Sequence, residues 1–101
     1  MTKIVNGNTL IFKVNNKGEF ENLELTKDVK NFIADLSEVN KEIISLIKNN
    51  LIKFGHSIYS TKGSFVVVST FEFDENLNIV PTMQEAFDFI DMEEIERQLK
   101  L

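Results

Sequence analysis

Phe65-Val66-Val67-Val68 is the longest uninterrupted apolar run in this chain of 101 residues, and it restricts the fold more than any other feature. Four consecutive apolar residues in a strand put large side chains on both faces, so both faces need cover. Ser64–Thr70 therefore reads as a central strand with helices packed against it. Phe32-Ile33-Ala34-Asp35-Leu36, closed by Ser37, reads as a second buried strand, being too short for a core helix. Between the two, Ile43, Ile47, Leu51, Phe54 and Ile58 recur at helical spacing, with Ile44 and Leu46 alongside and Lys41, Lys48, Asn49 and Lys53 on the other side. Asn40 is placed to cap this helix, Gly55 is expected to bend or fray it, and Thr61-Lys62-Gly63 ends it. Strand, helix and strand make a βαβ unit with an expected right-handed crossover, so 32–36 and 64–70 are the predicted parallel pair.

The flanks add smaller elements. Asn6-Gly7 between two β-prone stretches predicts an N-terminal hairpin of strands near 2–5 and 9–14, with positive φ on adjacent turn residues. Residues 19–26 lean towards strand or irregular structure, and a short helix stays open as the alternative. Leu77–Val80 reads as a short last strand stopped by Pro81. Thr82-Met83-Gln84-Glu85 is a capping box, with Ala86, Phe87 and Ile90 as the inward face of the helix it starts. Asp91-Met92-Glu93-Glu94 repeats the cap pattern, which suggests a break and a second short helix through Leu99. On that helix Met92, Ile95 and Leu99 share one face, and Glu93, Glu94, Glu96 and Arg97 are expected to point away from it. Residues 1–101 thus form one α/β domain: a mixed four- to five-stranded sheet with an N-terminal hairpin and two to three helices.

The residue types present exclude much chemistry. The chain has no cysteine, so disulfides, thiolate zinc sites and cysteine nucleophiles are all ruled out, and a reducing compartment suits it. A lone histidine, His56, cannot build a zinc site unless several carboxylates complete it, which no spacing here suggests, so it reads as an ordinary surface or helix-end residue. No Gly-x-Ser-x-Gly elbow occurs, and the four glycines stand in separate turns rather than in a phosphate loop. No catalytic residue, metal or cofactor is expected, and the chain does not read as an enzyme. A net charge of −5 argues against gripping a nucleic-acid backbone. Met1–Asn8 has no apolar signal core, and no run is long enough to cross a membrane, so a cytoplasmic domain is expected.

Two surfaces remain as candidates for contact with a partner. Asp35–Asn40 follows a buried strand and precedes a helix, the usual functional edge of open α/β sheets. Ser37, Glu38, Asn40 and Lys41 are its candidate contacts, although Ser37 and Asn40 can equally satisfy free amides at a helix start. The second is the tail. Residues 72–101 hold nine acids against Arg97 and Lys100, a net of −7. Such a face can steer a basic partner, with Glu93, Glu94, Glu96 and Arg97 as its candidates, or it can simply be solvated, with acids near helix starts. Met83 and Met92 read as core filler.

Phe32-Ile33-Ala34-Asp35-Leu36-Ser37-Glu38-Val39 resembles the strand and turn of STAS domains, the anti-sigma factor antagonist fold. Leu77–Ala86 and Met92–Arg97 resemble a group of short STAS-like proteins of Bacteroidetes that often carry the label ribonuclease Z by gene neighbourhood. The resemblance implies a STAS-like fold and a regulatory protein–protein interaction module, with a kinase or sigma-factor system as partner. An accessory to ribonuclease Z in tRNA 3′ processing, or a small-molecule or lipid-binding domain, are the alternatives it brings. Phospho-regulated members carry an Asp-Ser-Ser-Gly type segment after Asp-Leu-Ser-x-Val. Here Val39-Asn40 runs into Lys41-Glu42-Ile43-Ile44-Ser45, and Ser45 lacks the flanking glycine, so the phosphorylation switch is not carried over. The nuclease itself needs two zinc ions in a dense His/Asp cluster, which one histidine cannot supply.

Overall fold

Apolar alternation in three neighbouring strands dictates the layering. The computed structural model describes residues 2–14 and 29–99. Its strands are β1 (Thr2–Asn6), β2 (Thr9–Lys13), β3 (Asn31–Asp35), β4 (Phe65–Val68) and β5 (Ile79–Val80), and its helices α1 (Lys41–Ser60) and α2 (Met83–Leu99). The sheet order follows the chain, β1-β2-β3-β4-β5. Leu10 and Phe12 of β2, Phe32 and Ala34 of β3, and Phe65 and Val67 of β4 share one face with Ile44, Ile47, Leu51 and Ile58 of α1. Ile33, Val66 and Val68 lie in the opposite cluster with Ala86 and Ile90 of α2. The domain is α/β, with a helix on each face of the sheet.

A mixed sheet arranged around an N-terminal hairpin is not borne out as the organising plan. β2, β3, β4 and β5 are four consecutive parallel strands. Among the described strands only β1 runs antiparallel, against β2. Two-sided burial explains this, because each inner strand needs cover on both faces, and parallel order with helices on either side supplies it. Gly7 alone takes positive φ in the turn after β1, so the expectation of adjacent positive-φ residues at Asn6-Gly7 is corrected. The expectations for residues 19–26 lie outside the described residues.

α1 starts where Asn40 accepts a hydrogen bond from the Ile43 amide at 2.9 Å. It then continues through Gly55 to Ser60 as one helix, without the fraying expected there. Gly55 is buried against the Phe65 ring, and a Cβ would stand 3.1 Å from that ring, so close packing accounts for the glycine. The buried stripe is Ile44, Ile47, Leu51, Gly55 and Ile58, with Ile43 and Phe54 half-buried beside it. Leu46 is 76% exposed. The helix ends with Lys62 at φ +66 and the Gly63 amide bonded to the Ile58 carbonyl. A Cβ on Gly63 would overlap the Lys30 carbonyl, so only glycine allows this approach to β3.

α2 is one helix rather than two. Thr82 Oγ1 accepts from the Glu85 amide at 3.2 Å, and the helix runs unbroken through Asp91 to Leu99. Ala86 and Ile90 seat it on β3 and β4. No helix among the described residues is long and apolar enough to cross a membrane.

Candidate functional site

The carboxyl edge of the sheet holds the first set of candidate residues. Asp35 ends β3, and its Oδ1 accepts from the Ser37 amide at 3.0 Å, closing an Asx turn. Glu38 pairs with Lys13 of β2 at 2.8 Å. That hydrogen bond, the largest influence on Lys13, raises the lysine pKa above its ordinary value. Both side chains are well exposed, and a pair in water contributes little stability. Asn40 is the α1 cap, the structural role open to it from its position. The Lys41 ammonium lies 4.8 Å from the centroid of the Phe71 ring. Ser37, Glu38, Asn40 and Lys41 are exposed along one edge, with Leu36 and Val39 buried beneath them.

The tail residues lie elsewhere. Glu94 and Arg97 continue the phase set by Ala86 and Ile90, and they bring polar groups to the amino ends of β2, β3 and β4. Asn31 is fully buried at the start of β3. Its Nδ2 donates to Glu94 Oε2 at 3.2 Å and to Asn8 Oδ1 at 3.4 Å, while its Oδ1 accepts from the Ser64 amide at 3.0 Å. Asn8 Nδ2 donates to the same Glu94 oxygen at 3.0 Å. Arg97 Nη1 donates to Ser64 Oγ at 3.0 Å. One turn away, the Tyr59 hydroxyl donates to Glu93 Oε1 at 2.9 Å and accepts from Asn78 Nδ2 at 2.7 Å. Burial, then the bond to Glu93, raises the Tyr59 pKa far above the usual phenol range. Among the described residues, no buried side-chain nitrogen or oxygen lacks a hydrogen-bond partner.

Glu93, Glu94 and Arg97 thus lie off the Met92–Ile95–Leu99 face, but on the side towards the sheet, because that apolar face is the outward one. Packing of Ala86 and Ile90 fixes the helix phase, and the inner positions that follow fall over strand ends whose side-chain amides and hydroxyls need partners. The two candidate surfaces therefore do not meet. They occupy opposite ends of the sheet, separated by the five residues of β3, about 16 Å.

The same phase turns three apolar residues outward. Met92 is 62%, Ile95 55% and Leu99 80% exposed, so Met92 is not core filler, whereas Met83 is half-buried against the α2-side cluster. Steps of three and four place them on one helix face, and Glu85, Asp88, Asp91 and Glu96 lie exposed on or beside it. Of the four tail candidates, only Glu96 belongs to this outward face. Sequence reading missed Asn8, Asn31, Tyr59, Ser64 and Asn78. The usable signal was the spacing Ala86-Ile90-Glu94, which continues the inward phase by two steps of four.

His56 is exposed on α1. Ser45 is exposed as well, and its hydroxyl donates to the Lys41 carbonyl at 3.1 Å. Among the described residues no three His, Asp or Glu side chains converge as metal ligands would. No protein-family model matches the chain, and no curated protein matches it.

Proposed function

We propose that the domain is a non-catalytic, STAS-like interaction module that docks a basic amphipathic helix of a protein partner on the outward face of α2. The observation that carries this reading is the exposed Met92–Ile95–Leu99 stripe bordered by four carboxylates. Apolar residues at three- and four-residue spacing are what helix-in-groove recognition reads, and here they lie uncovered. Charge selects the occupant. A second copy would bring acid against acid, and an anionic membrane surface would be repelled in the same way. A helix with lysines or arginines flanking a leucine stripe satisfies both features. The resemblance of residues 32–39 to the STAS strand and turn supports the regulatory class. The Ser37–Lys41 edge, at the far end of the sheet, is a second contact available to the same partner or to another.

The test uses a synthetic 18-residue Leu/Lys amphipathic helix and its Leu/Glu counterpart, followed by fluorescence anisotropy at two salt concentrations. The Leu/Lys peptide is expected to bind, more weakly at high salt, and the Leu/Glu peptide is not. Ile95→Asp with Leu99→Asp should abolish binding, and Asp88→Lys with Glu96→Lys should weaken it, both without loss of melting temperature. Equal binding of the Leu/Lys peptide by these variants and the wild type would place the docking face elsewhere.

A further inference from the structure

α1 and the segment joining β4 to β5 flank an open cleft of about 270 Å³ at the carboxyl edge of the sheet, lined by Lys41, Ile44, Ser45, Lys48, Phe71 and Phe73. We infer that this cleft binds a small organic anion with an apolar body, of the aryl-alkyl carboxylate class.

The lining divides into two chemistries. Ile44 is buried, and Phe71 and Phe73 are half-buried against the α1-side core, so the floor and one wall are apolar and held in place by packing. Lys41 and Lys48 stand two helical turns apart on the same α1 face, with Ser45 between them. Among the described residues, no carboxylate lines the cleft itself. The acids of the joining segment, Glu72, Asp74 and Glu75, line a separate recess with Leu77 and Ile79. Among the described residues Asp74 pairs with Lys48 at 3.8 Å. Lys41 lies over the Phe71 ring, which keeps the second ammonium against an aromatic wall. In a chain of net charge −5, an apolar cleft whose described lining carries two lysines, with Asp74 paired to one of them, favours a negative group beside Lys41.

Size fixes the rest of the class. An apolar cavity of about 150 Å³ accepts benzene, so this cleft takes an aromatic ring together with a short chain. The ring stacks on Phe71 and Phe73, and the carboxylate meets the Lys41 ammonium, with Lys48 and its Asp74 partner on the far side. The position also fits, because open α/β sheets take ligands outside the carboxyl ends of their strands. The site is separate from the outward face of α2, so either proposal can fail without the other.

The probe is 4-phenylbutyrate, titrated into the ¹⁵N-labelled protein by NMR, with uncharged 4-phenylbutanamide as comparator. Saturable shifts are expected at the amides of Lys41, Ser45, Lys48, Phe71 and Phe73, at about tenfold lower concentration for the acid than for the amide. Lys41→Gln with Lys48→Gln should remove that preference while the melting temperature holds. Absence of saturable shifts at millimolar probe, shifts centred elsewhere, or equal affinity for acid and amide in the wild type would overturn the inference. The last comparison needs no variant, so it stands even if the double substitution unfolds.

Discussion

Glu94→Lys separates a structural carboxylate from a solvated one. Glu94 Oε2 takes two amide hydrogens, from Asn8 at 3.0 Å and from the fully buried Asn31 at 3.2 Å. An unsatisfied buried donor costs about 1–3 kcal/mol. Lysine offers donors only, so it removes the acceptor and sets an ammonium against two amide donors. The expected loss is about 2–3 kcal/mol, from a total that is about 5–15 kcal/mol for a domain of this length. At about 4–8 °C per kcal/mol, the melting temperature should fall by roughly 10–20 °C. Glu96→Lys, two positions on and exposed, should stay within about 0.5 kcal/mol of wild type. Glu94→Gln retains a carbonyl acceptor and should lie between them. Thermal unfolding followed by circular dichroism at 222 nm reads all three. If Glu94→Lys and Glu96→Lys melt together, α2 is not anchored through this carboxylate, and the inward assignment of its second half is wrong.

Val67 is fully buried in the middle of β4, so Val67→Asp leaves a charge without a partner and should cost about 3–5 kcal/mol in urea unfolding, or abolish folding. Lys62 holds φ +66 at the end of α1, and Lys62→Gly should raise stability by up to about 1 kcal/mol, read as a higher urea midpoint at unchanged slope. Tyr59 is the single tyrosine and the chain has no tryptophan, so phenolate absorbance near 295 nm reports it alone. Its folded pKa is raised, so the stabilisation is fully present below the unfolded value near 10 and is lost as pH rises above it. The folded protein should therefore show no phenolate at pH 10.5, and Tyr59→Phe should remove this part of the alkaline stability loss. A phenolate step near pH 10 in the folded state would mean that the hydroxyl is solvated.

Much of the fold was legible because its signals are local. Two-faced strands at Phe32–Ala34 and Phe65–Val68, the Asn40 cap and the α1 period each rest on short spacings whose physics needs no knowledge of the rest of the chain. Gly55 was misread because a glycine inside a helical pattern has an average cost, whereas here the Phe65 ring occupies the space a side chain would need. The dominance of parallel pairing was not legible either. β2 alternates over only five residues, and nothing in those residues states which neighbour lies alongside.

α2 shows where periodicity stops being sufficient. Met92, Ile95 and Leu99 satisfy a helical apolar spacing as well as Ala86 and Ile90 do, yet the two sets lie on opposite sides of the helix. Only one phase can face the sheet, and the choice is made early. Ala86 is small enough to let the helix approach the sheet, and with Ile90 it forms one cluster with Ile33, Val66 and Val68. The next inward positions then carry Glu94 and Arg97. Charged groups are tolerated there because the buried Asn31 and Ser64 need partners that aliphatic side chains cannot provide. Turning Met92, Ile95 and Leu99 inward would bury more hydrocarbon but leave Asn31 without the Glu94 acceptor and Ser64 without the Arg97 donor. The second half of the helix therefore keeps its polar side in and its apolar side out. An apolar stripe left in water by that exchange contributes nothing to the domain's own stability, and cover by a partner is what would give it a use.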